Sequence, residues 1–386
     1  MNELDQCLGS KRTDKSDFSL TPSSLTITSG MLSEIEVRDF RCFAHQRLDL
    51  HPKMTVLVGR NAQGKTSLLE AACVLLRLQS PRTSARTDLI RFDCSTLMIE
   101  GRWNGVPLRC GMSDSRRRLA VDGAVCGKSS DYLERSGLVV WMDHNDMNLV
   151  RGTSEHRRRF LDFAASQMDP GYLQALQGYN RALRSRNYIL KRDATVQWRQ
   201  ADAYGQLMAG FHQTLVLHRE QLVRALQPKI AQVMANLSQA TEEVGIEYLP
   251  ACGAPDLMEA LVSQRQEEER TRTTWTGAHR DDFASSINGR NAESFASEGQ
   301  QRSISIALKI GQTRVLEEAR SMAPLLLVDD VFGELDPVRR RALLSGLPQG
   351  TQAILTTTHL DWAGELGGDC RVVSVENGEL SAKISD

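Results

Sequence analysis

The sequence predicts an α/β protein, a mixed β-sheet with helices, interrupted by an inserted and mostly helical second lobe. Three observations predict it. Met54-Thr55-Val56-Leu57-Val58 is a short apolar run that enters a glycine-bearing turn, after which Leu68, Leu69, Ala72, Leu75 and Leu76 recur at helical spacing. From about residue 153 to 239 apolar residues again recur at helical spacing, for instance Phe211, Leu215, Leu222, Leu226, Ile230 and Val233. Leu325-Leu326-Leu327-Val328 then closes on two carboxylates, Asp329 and Asp330. That is the pattern of a parallel strand buried on both faces, with acids at its C-terminal edge.

These patterns divide the 386 residues into four stretches. Residues 1–30 are polar and rich in Ser and Thr, and cannot bury enough apolar surface to fold, so they read as a disordered extension ahead of a domain starting at Met31. Residues 31–150 form the first part of the α/β head, 151–271 the helical lobe, and 272–386 the part that closes the head.

Composition narrows the class. With 41% hydrophobic and 25% charged residues, and no apolar run long enough to span a bilayer, the chain reads as soluble, with no membrane association. The N-terminus lacks a basic-then-apolar secretory pattern. Eight scattered cysteines without a C-x-x-C pair read as reduced thiols, which places the protein in the cytoplasm. A net charge of −1 gives no global signal for nucleic acid, so a DNA-binding surface must come from local clustering. Residues 151–200 provide such a cluster, with ten Lys/Arg against four Asp/Glu, mostly Arg157-Arg158-Arg159, Arg181, Arg184, Arg186, Lys191 and Arg192. Such a run is either a solvated helix face or a tracker of the phosphate backbone. Residues 241–270 reverse the balance, with eight acids against two arginines.

Two strands, around Leu32–Val37 and Leu48–Leu50, precede the glycine turn, with Asp39-Phe40-Arg41 between them. Arg41 is either a phosphate ligand or an exposed strand charge. Leu97–Gly101, Leu119–Val121 and Leu138–Met142 read as further strands, with a turn at Asp122-Gly123 and a helix start near Thr153-Ser154.

The turn itself, Gly59-Arg60-Asn61-Ala62-Gln63-Gly64-Lys65-Thr66, fits the phosphate-binding loop G-x-x-x-x-G-K-[ST]. Backbone N–H groups and the following helix N-terminus would wrap a polyphosphate. Lys65 would reach the β- and γ-phosphates of ATP, and Thr66 would ligate Mg²⁺ together with Asp329. Ser297-Glu298-Gly299-Gln300 precedes a second amphipathic helix and resembles the S-G-G-Q signature of ABC ATPases, with Glu298 in place of the first glycine. Asp330 stands where a Glu ordinarily orients the attacking water. Its shorter side chain implies slow hydrolysis. Gly333-Glu334-Leu335-Asp336 resembles the D-loop, and His359, after Ala353–Thr358, fits the switch histidine. The order of these pieces resembles an ABC-type ATPase head. That class implies a homodimer in which ATP bridges the phosphate loop of one copy and the signature of the other.

The 233-residue gap from Gly64 to Ser297 is longer than in separate transport ATPases and too short for the coiled coil of SMC proteins. Within the class the sequence resembles the RecF family of bacterial recombination mediators. The resemblance rests on Asp39-Phe40-Arg41 before Val56–Ala71, on Asp146–Gly152 followed by Arg157–Asp162, and on Tyr179 with Arg186-Asn187. It rests further on His279–Asp282, Ser294–Ser303 and Asp329–Asp336 with Arg339-Arg340-Arg341. It implies an ATP-dependent protein that binds single-stranded, gapped or duplex DNA. Such a protein helps to load the recombinase in gap repair and in the damage (SOS) response, with RecR and RecO as partners. Two alternatives predict different chemistry. An ATPase regulator acting only through protein partners would tolerate charge reversal at the basic cluster. A nuclease-linked ATPase would need a further acidic metal cluster after His359, where little chain remains.

Overall fold

The computed structural model describes residues 30–238, 241–253, 256–362 and 369–382. The extension expected at 1–30 lies outside the described residues except for Gly30, which is buried. An antiparallel sheet of six strands has the order β2-β1-β4-β5-β6-β7. Its strands are β1 (Leu32–Phe40), β2 (Phe43–Asp49), β4 (Thr96–Trp103), β5 (Val106–Ser113), β6 (Arg117–Val121) and β7 (Ala124–Val125). A second sheet has the order β15-β14-β3-β13-β12-β8. It consists of β3 (Met54–Val58), β8 (Val139–Met142), β12 (Leu325–Asp329), β13 (Ala353–Thr357), β14 (Arg371–Glu376) and β15 (Glu379–Ala382), all parallel except β15. A third, small sheet pairs β9 (Val244–Leu249) and β11 (Arg290–Asn291) with β10 (Asp282–Ile287).

The parallel sheet is buried on both faces, as its unbroken apolar runs require. Successive side chains alternate between two cores. Leu325 and Leu327 of β12 pack with the antiparallel sheet and α1 (Lys65–Arg77). Leu326 and Val328 join a core that continues into the helices. After the short α2 (Ser129–Arg135) and α3 (Asn148–Arg151), these are α4 (Ser154–Met168), α5 (Pro170–Arg192) and α6 (Trp198–Ser238), followed by α7 (Leu257–Ser263), α8 (Arg265–Thr271) and α9 (Ala292–Phe295). The helical lobe therefore shares one continuous core with the sheet, through α10 (Glu298–Arg320). The 41-residue α6 spans about 60 Å at 1.5 Å per residue and runs through Pro228. The last helix is α11 (Pro337–Gly346).

β9 falls inside the stretch read from sequence as acidic. Its period-two apolar residues, Val244, Ile246 and Tyr248, face the core while Glu247 and Leu249 lie outside. Gln227 of α6 both donates to Val244 O (3.0 Å) and accepts from Ile246 N (2.6 Å), so a helix side chain extends the ladder.

Candidate nucleotide site

The C-terminal edge of the parallel sheet assembles the site. β3 sits between β13 and β14, and Gly59 N donates to Thr357 O (3.2 Å) as the chain leaves the sheet. A Cβ on Gly59 would stand 2.2 Å from Val375 O, so only glycine passes here. Gly64 ends the loop at φ 105°, packed so closely on the Cys42-Phe43 turn that a Cβ would stand 2.6 Å from the Phe43 ring. α1 then begins with no side-chain cap, leaving its first N–H groups available to an anion. The loop is braced from outside. Gln63 Nε2 donates to Asn61 O (3.4 Å), and Gln63 Oε1 accepts from Asn377 N (2.5 Å) in the β14–β15 turn. Ala62 is held at φ 65°, and the Arg60 and Asn61 side chains are exposed.

Lys65 is buried, its ammonium donating to Gly59 O (2.5 Å) and Arg60 O (3.0 Å). Burial lowers its pKa, and the nearby Asp330 and Asp329 charges oppose that shift. Thr66 Oγ1 donates to Asp329 Oδ1 (2.7 Å), which also accepts from Thr356 Oγ1 (2.8 Å). Burial raises the pKa of Asp329, while those two hydroxyls hold it down. A hydroxyl and a carboxylate oxygen in direct contact are the hard donors Mg²⁺ takes when substrate oxygens and water complete its shell. The site residues therefore fit Mg²⁺. Asp330 sits at φ 56°, its N–H bonded to Thr356 Oγ1 (2.9 Å). This left-handed conformation suits Asp or Asn better than Glu, which gives a physical reason for the shorter acid.

His359 lies exposed two residues beyond Thr357, which pairs with Val58 at the start of the loop; its Nδ1 contacts Thr358 Oγ1 (2.8 Å). Arg41 is not a strand residue. At φ 53° in the β1–β2 turn, its guanidinium grips the buried Glu70 of α1 through two hydrogen bonds (2.9 and 2.7 Å). Ser80 (2.6 Å) and Arg82 (3.3 Å) also bond Glu70.

Ser297 caps α10 in a reciprocal box. Its hydroxyl accepts from Gln300 N (3.3 Å), and the Gln300 side chain accepts from Ser297 N (2.7 Å) while donating to Glu242 (2.8 Å). Asp336 caps α11 through Val338 and Arg339 N–H (3.0 Å each) and pairs with the Arg339 side chain. Arg339 also donates to Gly299 O (2.7 Å) and Ser303 Oγ (3.0 Å). Arg339 thus joins the start of α10 to the start of α11. Ser297 and Glu298 are exposed, and the contacts of Ser297–Gln300 described here run to α10 itself, Glu242 and Arg339 rather than to residues 59–66.

Sequence reasoning missed Glu70 and Asp143. Asp143 follows β8, whose Met142 pairs with Val328, and its charge raises the pKa of Asp329. The signal was present, because Leu138–Asp143 repeats the pattern of an apolar run ending in an acid. The basic cluster is partly internal. Arg157 pairs with Asp282 (2.6 Å), Arg158 donates to Asp281 O (2.8 Å), and Arg186, wholly buried, pairs with Glu268 (2.7 Å) and Thr274 (2.9 Å). Arg159, Arg181, Arg184, Lys191 and Arg192 stay at the surface, Arg159 paired with Glu155 of its own helix and Arg192 with Asp193.

The AAA ATPase domain family matches residues 31–106. The chain is 32% identical over 366 residues to the DNA replication and repair protein RecF of Streptococcus thermophilus, covering 92% of this chain and 100% of that protein. The chain belongs to the RecF family. A solved structure of the recombination mediator protein RecF-ATP in the RecFOR pathway superposes with a TM-score of 0.83 at 25% identity, over 94% of this chain and 100% of that one. A Pyrococcus furiosus Smc head domain bound to the C-terminal domain of ScpA shares the fold alone, with a TM-score of 0.52 at 13% identity over 92% and 96% of the two chains. With its RecF-family relatives the chain shares an ABC-type head that binds ATP, and it is an ATPase. Among the described residues, no helix is long and apolar enough to cross a membrane.

Proposed function

We propose that this RecF-family ATPase is a cytoplasmic, ATP-gated homodimeric clamp at single-strand gaps and single-strand/double-strand junctions, helping to load the recombinase and supporting the SOS response. The observation that carries the proposal is a division of the site. Thr66 and Asp329 join the phosphate loop to the acidic strand, whereas the exposed Ser297 cap makes its contacts elsewhere. One chain offers two separated half-sites, which a second copy would complete.

In this reading the loop from Gly59 to Gly64 and the uncapped start of α1 bind the triphosphate, and Lys65 exchanges its loop carbonyls for phosphate oxygens. Mg²⁺ held by Thr66 and Asp329 would neutralise developing charge on the phosphates. Asp330 orients the attacking water, His359 donates to the γ-phosphate, and Ser297, Gly299 and Gln300 of the second copy close over it, positioned by Asp336 and Arg339. Arg41, which grips Glu70 of α1 through two hydrogen bonds, steadies the helix that carries Lys65 and Thr66. RecO and RecR are the proposed partners, consistent with the RecFOR pathway named for the superposed structure.

The test is binding of a gapped duplex with ATP, with ADP and without nucleotide, with oligomeric state followed in the same samples. Tight binding by a dimer with ATP alone is expected, lost on Lys65→Ala or Ser297→Arg. The internal pairing of Arg157, Arg158 and Arg186 favours one competing reading, a regulator acting only through proteins. ATP-driven dimerisation without DNA binding would establish that reading instead.

A further inference from the structure

Where α5 turns into α6, the surface holds an open groove of about 640 Å³ lined by Arg184, Tyr188, Arg192, Gln200 and Tyr204, with no acid among its lining residues. α5 carries five Lys/Arg and no Asp or Glu in its 23 residues. One of the five, Arg186, is spent in the core on Glu268. Acids near the groove are committed, Asp193 to Arg192 (2.8 Å) and Asp202 to Arg265. Arg184 makes no ion pair among the described residues, so the groove keeps a positive balance.

A basic helix face alone is usually just solvated. The second observation is Tyr188, 62% exposed, placed one helical turn from both Arg184 and Arg192. Tyr204, half-buried, faces the groove from α6. The groove is also preformed. Ile189 of its lining belongs to a small buried apolar cluster with Leu190, Val196 and Ala201, against which Tyr204 packs. Arg272, at φ 55°, donates to the carbonyls of Leu190 (3.1 Å), Asp193 (3.0 Å) and Ala194 (2.5 Å), tying the turn to α8. An exposed aromatic face between two guanidinium groups on a rigid turn offers stacking and phosphate neutralisation together. A duplex hides its base faces and can use only the arginines.

We propose that this groove is a single-stranded DNA site, in which Tyr188 stacks on an unpaired base while Arg184 neutralises a flanking phosphate and Arg192, its charge balanced by Asp193, offers hydrogen bonds to the next. The proposal rests on the DNA-binding reading above and gives it a place and a strand preference.

The test uses the full chain with ATP, measuring fluorescence anisotropy of a labelled 20-mer of thymidylate (about 20 nucleotides, the span of one or two such sites) and of a duplex of equal length. Tyr188→Ala should weaken single-strand binding about tenfold and leave duplex binding unchanged; Tyr188→Phe, which keeps the ring, should bind like the parent. Arg184→Ala should weaken both and flatten the salt dependence by about one unit. Turnover of ATP without DNA should survive all three substitutions. As a second measurement, 5-iododeoxyuridine in the oligonucleotide should crosslink to Tyr188. Unchanged single-strand binding by Tyr188→Ala with no crosslink overturns the groove alone, provided the parent binds gapped DNA. No DNA binding by the parent overturns the broader reading with it. Loss of ATP-driven dimerisation in Tyr188→Ala would make this face an interface between copies, and would also overturn the proposal.

Discussion

At the scale of single residues, the nucleotide site is built from a local motif and a few distant contacts. The loop was legible because G-x-x-x-x-G-K-T occupies eight consecutive residues, and its strand and helix flank it directly. Glu70 was not legible, because a buried acid on an apolar helix declares itself only once Arg41, Ser80 and Arg82 converge on it. Lys65→Met should abolish the rise in melting temperature that ATP gives the parent. It should not lower the melting temperature of the nucleotide-free protein, because the ammonium is held in a buried place that disfavours its charge. Asp330→Asn should cut turnover by about a hundredfold or more while ATP still binds, as removal of a group acting on the attacking water would. Steady-state hydrolysis and equilibrium nucleotide binding separate the two effects.

His279 gives a pH prediction. Its Nε2–H donates to Thr274 O (3.0 Å), leaving Nδ1 to accept from the Tyr179 hydroxyl (2.9 Å), and burial pushes its pKa down to about 4. The unfolded imidazole titrates near 6.5, so between these values the unfolded chain binds more protons. The stabilisation is complete above about pH 6.5 and is lost as pH falls towards 4, on the order of 3 kcal/mol in all. His279→Gln should flatten the pH dependence of urea unfolding in that window. An unchanged slope would show that His279 titrates normally.

At the scale of elements, periodicity found β1, β2, β3, β4, β6, β8 and β12 and the long helices of the lobe, since their apolar residues recur at spacings of two or 3.6, but not β5, β10, β14 or β15. It missed β9 because the acids around that strand drew the reading towards charge, although Val244, Ile246 and Tyr248 alternate clearly. Charge counting treated the arginines of α4 and α5 as one surface. Packing divides them, because an arginine's fate depends on whether a carboxylate from another element reaches it. Arg186 and Glu268 are both fully buried and hydrogen-bonded, so the pair anchors α8 on α5. Glu268→Ala strands a buried guanidinium and should cost about 3–5 kcal/mol of unfolding free energy. Arg181→Ala, on the exposed side of the same helix, should cost almost nothing in the same urea titration.

At the scale of the whole molecule, the order of motifs was legible along the chain, but the proposed division of labour between two copies would be a matter of surfaces. If each site takes its phosphate loop from one copy and its Ser297 cap from the other, two dead variants should complement. A mixed dimer of Lys65→Ala with Ser297→Arg has one site lacking both groups and one site intact. An equal mixture should then recover roughly a quarter of parental turnover, since about half of the dimers are mixed and each has one working site of two. Additive, near-zero activity would mean that each chain completes its own site. A chain starting at Met31 should keep its nucleotide affinity, because the contact of Met31 N with Asn104 Oδ1 (2.8 Å) is retained.

The phosphate-loop strand also sets a timetable for synthesis. β3 is among the first strands to leave the ribosome, yet both of its neighbours, β13 and β14, come from residues 353–357 and 371–376. At about 5–20 residues per second, some 15–60 seconds separate the strand from the partners that frame its loop. Until then the glycine turn has neither Thr357 O nor the Val375 backbone to shape it. A nascent or prematurely terminated chain therefore carries the complete motif but no formed triphosphate cradle. ATP binding is thus expected only of finished chains.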